Sequence, residues 1–188
     1  AAYTLSVTDV NEAPTAVSLT NATTSIAENT STSSHIKVAD IAVTDDVLGS
    51  NAVTLTGSDA SSFEVVGSAL YLKSGVVLNY ESKSSYAVTV NVADSSVSGS
   101  TPVTANYTLT VTDVNEAPTA VSLTNATTSI AENTSTSSHI KVADIAVTDD
   151  LLGSNAVTLT GSDASSFEVD GSALYLKSGV VLNYESKS

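Results

Sequence analysis

The sequence repeats itself at an offset of 104 residues, and this repeat limits the possible folds more than any other feature. Segment 3–14 returns as 107–118, and residues 1–84 match residues 105–188 at all but four positions. Solenoid repeats are about 20–50 residues long, whereas whole domains have about 100–150 residues. The sequence therefore predicts tandem copies of one domain. Such near-identity favours spacer domains, because neighbouring domains that bind different ligands usually diverge.

The repeat also gives the expected domain boundaries. Residues 14–117 should form one complete repeat with its linker, and residues 1–13 should be the last strand and linker of a preceding repeat. Residues 118–188 should be a truncated repeat, because they lack the counterpart of 85–114. We expect these ends to be cuts in a longer array. An isolated 118–188 segment should not hold a complete sandwich, so it would borrow strands, be poorly ordered or belong to a longer chain.

Apolar residues alternate with small or polar ones, which is the periodicity of β-strands. Short strands separated by Gly, Ser, Asn and Asp clusters indicate an all-β, antiparallel sandwich of about seven strands. In segment 36–43 the apolar phase shifts at Ala39 and Asp40, which predicts a β-bulge. No segment has the apolar stripe of a long helix. The positions predicted to be buried are Tyr86, Val88, Val90, Tyr107, Leu109 and Val111.

Charge and composition exclude several classes of function. The chain has a net charge of −14, so it should repel nucleic acids and anionic membranes. It has no cysteine, which excludes a disulfide framework and cysteine-based zinc sites. No apolar run reaches the length of a membrane helix. No nucleophile motif such as Gly-x-Ser-x-Gly is present, so we predict that the protein is not an enzyme and has no small-molecule substrate.

Five motifs, spread over the whole repeat and in the family's order, resemble the cadherin repeat. They are the Glu-Asn motif in 26–29, the loop 43–49, the Leu-Asn-Tyr-Glu motif in 78–81, the strand end 90–94, and the linker 113–118 with its twin 9–14. The resemblance implies a Greek-key sandwich of the cadherin-like or immunoglobulin-like type. Within the cadherins, the 104-residue unit is most similar to the bacterial repeats of giant repeats-in-toxin adhesins, including the extender repeats of ice-binding (antifreeze) adhesins of Antarctic marine bacteria.

That resemblance implies a role and a location. Such repeats are extenders that project distal ligand-binding domains away from an outer-membrane-anchored, secreted adhesin on the bacterial surface. The partners would be adjacent repeats of the same chain, joined through linkers bridged by calcium. An adhesive module that recognises a glycan or another cadherin-like domain remains the alternative. That reading predicts exposed aromatic side chains at loop tips, where Tyr80 is the aromatic near a loop motif.

The resemblance also implies Ca²⁺ ligands, because calcium prefers carboxylate, amide and carbonyl oxygens. Expected at the upstream junction are Asp9, Asn11, Glu12, Asp45, Asp46 and Asp94. Expected at the central junction are Glu28, Asn79, Glu81, Asp113, Asn115, Glu116, Asp149 and Asp150. Expected at the base of the last unit are Glu132 and Glu185.

This chain departs from the cadherin pattern at four positions. Val47 and Leu151 stand where the loop motif has its second Asp, Asn79 replaces an Asp, and Glu116 replaces the linker Asp. Fewer or differently placed ions than at a vertebrate cadherin junction are therefore expected. His35 recurs as His139 with no second His or Cys nearby in sequence, which favours a surface histidine over a metal ligand.

Overall fold

The computed structural model describes residues 1–46, 48–150 and 152–186. The chain forms two compact units, Ala1–Val114 and Asn115–Ser188. The helices in the described residues are two 3₁₀ turns of three residues each, Ala60–Ser62 and Ala164–Ser166. None of these described helices could span a membrane.

The first unit is a β-sandwich of two four-stranded sheets, with strand orders β1-β3-β6-β5 and β2-β8-β7-β4. The strand pairs are antiparallel except for β2 with β8, which is parallel. The strands are β1 (Ala16–Thr20), β2 (Ser25–Ala27), β3 (Ile36–Thr44), β4 (Asn51–Thr56), β5 (Phe63–Val66), β6 (Ala69–Leu72), β7 (Ser85–Asp94) and β8 (Val103–Thr112).

The described part of the first unit has eight strands rather than the seven expected, because its first extended segment divides in two. Asn21 adopts a left-handed backbone conformation with φ of 50° and donates a side-chain hydrogen bond to Asp40. Asn tolerates this conformation better than most residues. The turn separates β1, which belongs to one sheet, from β2, which belongs to the other.

The core lies between the two sheets and contains the alternating apolar residues of β7 and β8. All six positions predicted to be buried are at most 5% exposed, which confirms that prediction. Phe63 of β5 meets Tyr107 of β8 edge to face, with 5.9 Å between ring centroids. Ring contacts of this kind and the burial of Val and Leu are the main stabilising terms of such a core.

The predicted β-bulge is present, one residue from the expected place. Strand β3 pairs with β6 through Lys37 and Tyr71, and then through Ala39 and Leu70. Val38 is the extra residue, and both it and Ala39 are buried. The bulge therefore resets the alternation, and this explains why the apolar phase of the sequence shifts near Ala39.

The second unit contains one four-stranded sheet in its described residues, with the order β11-β12-β10-β9. Its strands correspond to β1, β3, β5 and β6 of the first unit, and the same bulge lies between Lys141 and Ala143. The strands are β9 (Ala120–Thr124), β10 (Ile140–Thr148), β11 (Phe167–Asp170) and β12 (Ala173–Leu176).

Asp59 fixes the loop between β4 and β5 to the start of β7, and this contact predicts a pH effect. Its carboxylate lies 2.8 Å from Lys83 Nζ and accepts a 2.8 Å hydrogen bond from the Ala87 amide. Lys83 first, and then the Ala87 amide, hold the pKa of Asp59 below its ordinary value of 3.8. Because the pKa is lower in the folded state, this stabilisation is present above pH 3.8 and is lost as the pH falls through the folded pKa.

Asp59→Asn is therefore expected to lower the free energy of unfolding at pH 7 by about 1.5–3 kcal/mol, the usual contribution of hydrogen bonds to a charged group. The difference from the unchanged protein should shrink as the pH falls below 3.8. Urea unfolding at several pH values measures this, with the exposed Asp170→Asn as control. A deficit of the same size at pH 7 and at pH 2.5 would contradict the assignment.

Candidate functional site

Three carboxylates meet at the end of the first unit where β2 and β8 finish. Glu28, Glu81 and Asp113 each offer a ligand oxygen, and these atoms lie within 4.8 Å of one another. Glu28 is buried and follows β2, Asp113 follows β8, and Glu81 lies in the turn before β7. The sequence motifs predicted that these acids share one junction, and the fold brings the three together.

Glu28 holds this end of the unit together. Its Oε1 accepts a 2.7 Å hydrogen bond from the Val114 amide, and its Oε2 accepts a 2.8 Å bond from the Tyr80 amide. The Glu28 amide in turn donates to Thr112 O at 3.1 Å. One buried carboxylate thus joins the end of β2, the end of β8 and the turn before β7. Amide donors stabilise the carboxylate in its charged form.

Asn79, another predicted ligand, shapes the turn that carries Glu81. Its Oδ1 accepts a 2.7 Å hydrogen bond from the Ser82 amide, and its carbonyl oxygen accepts one of 2.9 Å from the Lys83 amide. The side chain thus closes the turn in the way that Asn and Asp side chains often do. This contact occupies one acceptor position of the amide oxygen.

A second polar cluster lies at the opposite end of the first unit's strands, where β3 and β7 finish. Asn11 Nδ2 donates to Asp94 Oδ2 and to Ser96 Oγ, both at 3.0 Å. Asp94 is fully buried. The Ser96 hydroxyl, then the Ser96 amide, and then Asn11 hold the pKa of Asp94 below its ordinary range. Ser96 was missed in the sequence, although a hydroxyl two residues after an Asp at a strand end often caps that carboxylate.

The loop after β3 completes this cluster. Asp46 Oδ2 accepts a 2.9 Å hydrogen bond from the Glu12 amide, and its Oδ1 accepts one of 2.8 Å from the Leu48 amide. Asp45 Oδ2 accepts a 2.7 Å bond from Asn51 Nδ2. Asp9 is exposed and accepts a bond from the Val10 amide. All six residues predicted for this junction lie on this end of the first unit, with Asp9 at its margin.

The carboxyl groups of Glu12 and Asp46 are hydrogen-bonded to each other, and their pKa values shift in opposite directions. The pKa of Glu12 is raised, first by its hydrogen bond with the Asp46 side chain, then by burial and by the negative charges of Asp46, Asp9 and Asp45. The Glu12 amide, the Glu12 carboxyl and the Leu48 amide lower the pKa of Asp46. The hydrogen bond with Asp46 and the neighbouring negative charges thus favour the protonated form of Glu12.

Two oxygen atoms of this cluster fit a hard cation. Asn11 Oδ1 and Asp45 Oδ1 are buried and have no hydrogen-bond partner among the described residues. A buried acceptor without a partner is costly. A divalent cation would satisfy both oxygens, and amide and carboxylate oxygens are the ligands that calcium prefers. The donor set therefore fits the Ca²⁺ that the sequence predicts.

Gly49, the last residue of the loop motif 43–49, is required by this cluster. It has a φ of +75°, and a Cβ atom there would lie 2.0 Å from Asp94 Oδ2 and 2.2 Å from Asn11 Oδ1. Gly153 repeats the arrangement, with Asn115 Oδ1 at 2.0 Å. The sequence has a Gly three residues after Asp46 and again three residues after Asp150. Val47 and Leu151, predicted departures from the cadherin loop, lie outside the described residues.

The second unit repeats the same loop arrangement. Asp150 Oδ2 accepts a 2.8 Å hydrogen bond from the Glu116 amide, and Asp149 Oδ2 accepts one of 2.8 Å from Asn155 Nδ2. Asn115 Nδ2 donates to the Glu116 carbonyl at 3.1 Å. Asp149 Oδ1 is a buried oxygen without a hydrogen-bond partner among the described residues, like Asp45 Oδ1 in the first unit.

The base of the second unit carries the last two predicted ligands. Glu132 Oε2 accepts a 3.0 Å hydrogen bond from the Tyr184 amide, as Glu28 does from Tyr80. Glu132 and Glu185 are exposed. Within the described residues, they do not belong to a group of three or more potential metal ligands.

The sandwich of the first unit has the cadherin-like fold, and solved structures share this fold. Human protocadherin-24 EC1-2 has a TM-score of 0.60 at 21% identity, over 95% of this chain and 82% of that one. The protocadherin gammaB7 EC3-6 cis-dimer has a TM-score of 0.68 at 21% identity, over 94% of this chain and 43% of that one. The protein thus spans less than half of the gammaB7 chain. No protein-family model and no curated protein matches the sequence.

These likenesses show the fold, which is all-β and built from cadherin-like domains in tandem. The predicted fold class is confirmed. Glu28, Glu81 and Asp113 lie close together at one strand end, and their role as Ca²⁺ ligands stays a prediction. At 21% identity, the similarity shows the fold alone.

Proposed function

We propose that this chain is a calcium-stiffened spacer segment of an extracellular adhesin. The observation that carries the proposal is the convergence of Glu28, Glu81 and Asp113 at the end of the first unit. Asp113 is the residue that leads into the linker toward the next repeat, so an ion bound there would act directly on the linker. The fold supports a structural or adhesive module rather than an enzyme.

In this proposal, calcium supplies a positive centre that binds oxygens from separate segments of the chain. Glu28, Glu81 and Asp113 would hold it at the end of β2 and β8. Asn11, Asp45 and their neighbours would hold it at the opposite end. Three carboxylates within 4.8 Å repel one another when no cation is present. The ion would reverse the sign of that interaction and order the segments that carry the acids.

The linker connects the two kinds of cluster through the covalent chain. Asp113 belongs to the first unit, while Asn115 and Glu116, two and three residues later, belong to the second. We propose that ions ligated by residues on both sides of Val114 restrict the linker. A spacer needs this property, because a stiff array of repeats reaches further than a flexible one.

The spacer role accounts for the near-identity of the repeats, since a spacer needs only length and stiffness. Extracellular calcium is abundant enough for sites of the 10⁻⁴–10⁻³ M class that extracellular modules use. The proposal places the chain in a secreted, outer-membrane-anchored adhesin of the repeats-in-toxin type on a bacterial surface. Distal domains, such as ice-binding ones, would perform the recognition.

Calcium is expected to raise the melting temperature and lengthen the protein. Because the folded state binds the ion and the unfolded chain largely does not, stabilisation reaches about 2.7 kcal/mol per site at 100 times the dissociation constant. Calorimetry in calcium, in magnesium and in chelator tests the first effect. Small-angle scattering tests the second, with a larger maximum dimension expected in calcium. Identical melting and identical scattering in calcium and chelator would exclude the mechanism.

A further inference from the structure

Strand β4 of the first unit has an unpaired edge. It lies at the end of the sheet β2-β8-β7-β4, and β7 is its only strand neighbour among the described residues. With six residues it is the longest edge strand of the first unit, since β1, β2 and β5 have three to five. Its register with β7 runs without a shift from Asn51 to Thr56, so the edge is regular over its whole length.

The orientation of the β7 backbone shows which peptide groups of β4 face the open side. The Ala87 amide donates a 2.8 Å hydrogen bond to Asp59 Oδ2, which lies on the β4 side of β7. Orientation alternates along a strand, so the peptide groups of Asn91 are also directed toward β4, where Thr54 lies opposite. The groups directed away from β7 are then those of Asn51, Val53 and Leu55. Among the described residues, no backbone hydrogen bond from another segment reaches these three.

This edge lacks the features that usually prevent edge strands from pairing. Lysine, proline and other charged residues on an edge strand oppose pairing with another chain. Residues 47–58 contain no charged residue, no histidine and no proline, in a chain with a net charge of −14. By contrast, the edge strand β5 carries Glu64. Two copies of this acidic chain can therefore approach along β4 without bringing charged side chains together.

We propose that β4 is a self-recognition edge, which pairs antiparallel with β4 of a second copy. The three residues that face the open side are spaced by two, so the strand is complementary to itself about its centre. Val53 then lies opposite Val53 of the second copy, and Asn51 lies opposite Leu55. These residues together form about six backbone hydrogen bonds. The two sheets become one continuous sheet, and the pair is related by a two-fold axis.

The charges at the two ends of β4 favour the antiparallel arrangement. The start of β4 lies next to the acidic loop of Asp45 and Asp46, where Asn51 donates to Asp45 Oδ2 at 2.7 Å. The end of β4 leads to Asp59, whose charge is balanced by Lys83 at 2.8 Å. An antiparallel pair places the acidic end of one copy beside the balanced end of the other. A parallel pair would bring two acidic loops together, and like charges repel.

The size of the contact sets its strength. Two six-residue strands bury less than the roughly 1,200 Å² of standard interfaces, so the association is weak and depends on protein concentration. Its hydrogen bonds join backbone groups only, and β4 contributes no carboxylate. The pair therefore forms in chelator as well as in calcium, and the proposal fails or holds separately from the calcium-dependent spacer role.

Disulfide trapping tests the register, because the chain has no cysteine of its own. In the proposed register, Ala52 lies opposite Thr54 of the second copy as a non-hydrogen-bonded pair, with Cα atoms about 4.5 Å apart. A disulfide spans roughly 4.4–6.8 Å between Cα atoms, so Ala52→Cys in one copy and Thr54→Cys in another should cross-link. In the matched control, Thr56→Cys replaces Thr54→Cys, because Thr56 is exposed on the same face but two residues out of register.

Under mild oxidation the in-register mixture is expected to give about fivefold more heterodimer than the control mixture, because the control pair lies beyond the reach of a disulfide. Intact mass separates the heterodimer from the two homodimers. Equal heterodimer yields from the two mixtures would overturn the proposed register. An excess that appears in calcium and is absent in chelator would also contradict the proposal, because no part of the strand pair binds an ion.

Sedimentation of chains without cysteine provides the second test. Ala52→Asp combined with Thr54→Asp places like charges directly opposite each other, which destabilises a strand pair. Thr104→Asp combined with Thr108→Asp adds the same charge to the exposed side of β8, away from the edge. The β4 variant should show a smaller concentration-dependent rise in sedimentation coefficient than the β8 variant, and urea unfolding checks that both are folded. Equal association of the two variants would contradict the pairing.

Discussion

Glu28→Ala is expected to destabilise the first unit by about 2–5 kcal/mol even in chelator, because the substitution leaves two amides without their acceptor. Those amides belong to Tyr80 and Val114, and both hydrogen bonds end on the buried Glu28 carboxylate. In calcium the loss should be larger, since one of three converging ligands is removed. Urea unfolding in calcium and in chelator separates the structural part from the metal-dependent part.

Two substitutions serve as controls for Glu28. Glu81→Ala removes an exposed ligand and should leave stability in chelator unchanged while it reduces the calcium effect. Glu132→Ala, at the same repeat position in the second unit, removes an exposed carboxylate that binds one amide and should cost less. The account of Glu28 fails if Glu28→Ala and Glu81→Ala have the same stability in chelator.

The strands of the core follow directly from local sequence patterns. Strict alternation over β7 and β8 fixes which side chains face the opposite sheet, and these side chains are buried as expected. The phase shift near Ala39 likewise predicted the bulge of β3 to within one residue. The division of the first extended segment was not predicted, because it depends on the positive φ of Asn21 and on a tertiary hydrogen bond to Asp40.

The sequence predicted that three acidic residues lie near one another, but not which of them also binds the backbone. The motif order identified Glu28, Glu81 and Asp113, because each follows a strand or turn that ends at the same pole. The sequence did not show that Glu28 also closes the backbone of that pole. Nor did it show that Gly49 allows Asn11 to approach Asp94, since such close approach depends on loop packing.

Residues with identical local sequence are buried to different extents in the two units. Leu70 is fully buried in the first unit, and its identical counterpart Leu174 is only half-buried in the second. The four strands that the units share form the same sheet with the same bulge in both. Local pairing therefore follows from the shared segment, while burial depends on whether a second sheet lies against it.

Leu109→Ala is expected to destabilise the first unit by about 3–5 kcal/mol, the upper range for a large-to-small substitution in a packed core. Leu109 is 0% exposed, between the two sheets. Its repeat counterpart Leu5 is 74% exposed, so Leu5→Ala should change the free energy of unfolding by less than about 0.5 kcal/mol.

Urea unfolding of the two variants and of the unchanged protein measures this difference. Because domains of this size are stable by about 5–15 kcal/mol in total, Leu109→Ala should remove a large part of the stability of the first unit. Equal urea midpoints of unfolding for Leu109→Ala and Leu5→Ala would mean that packing of Leu109 in the core does not stabilise the first unit.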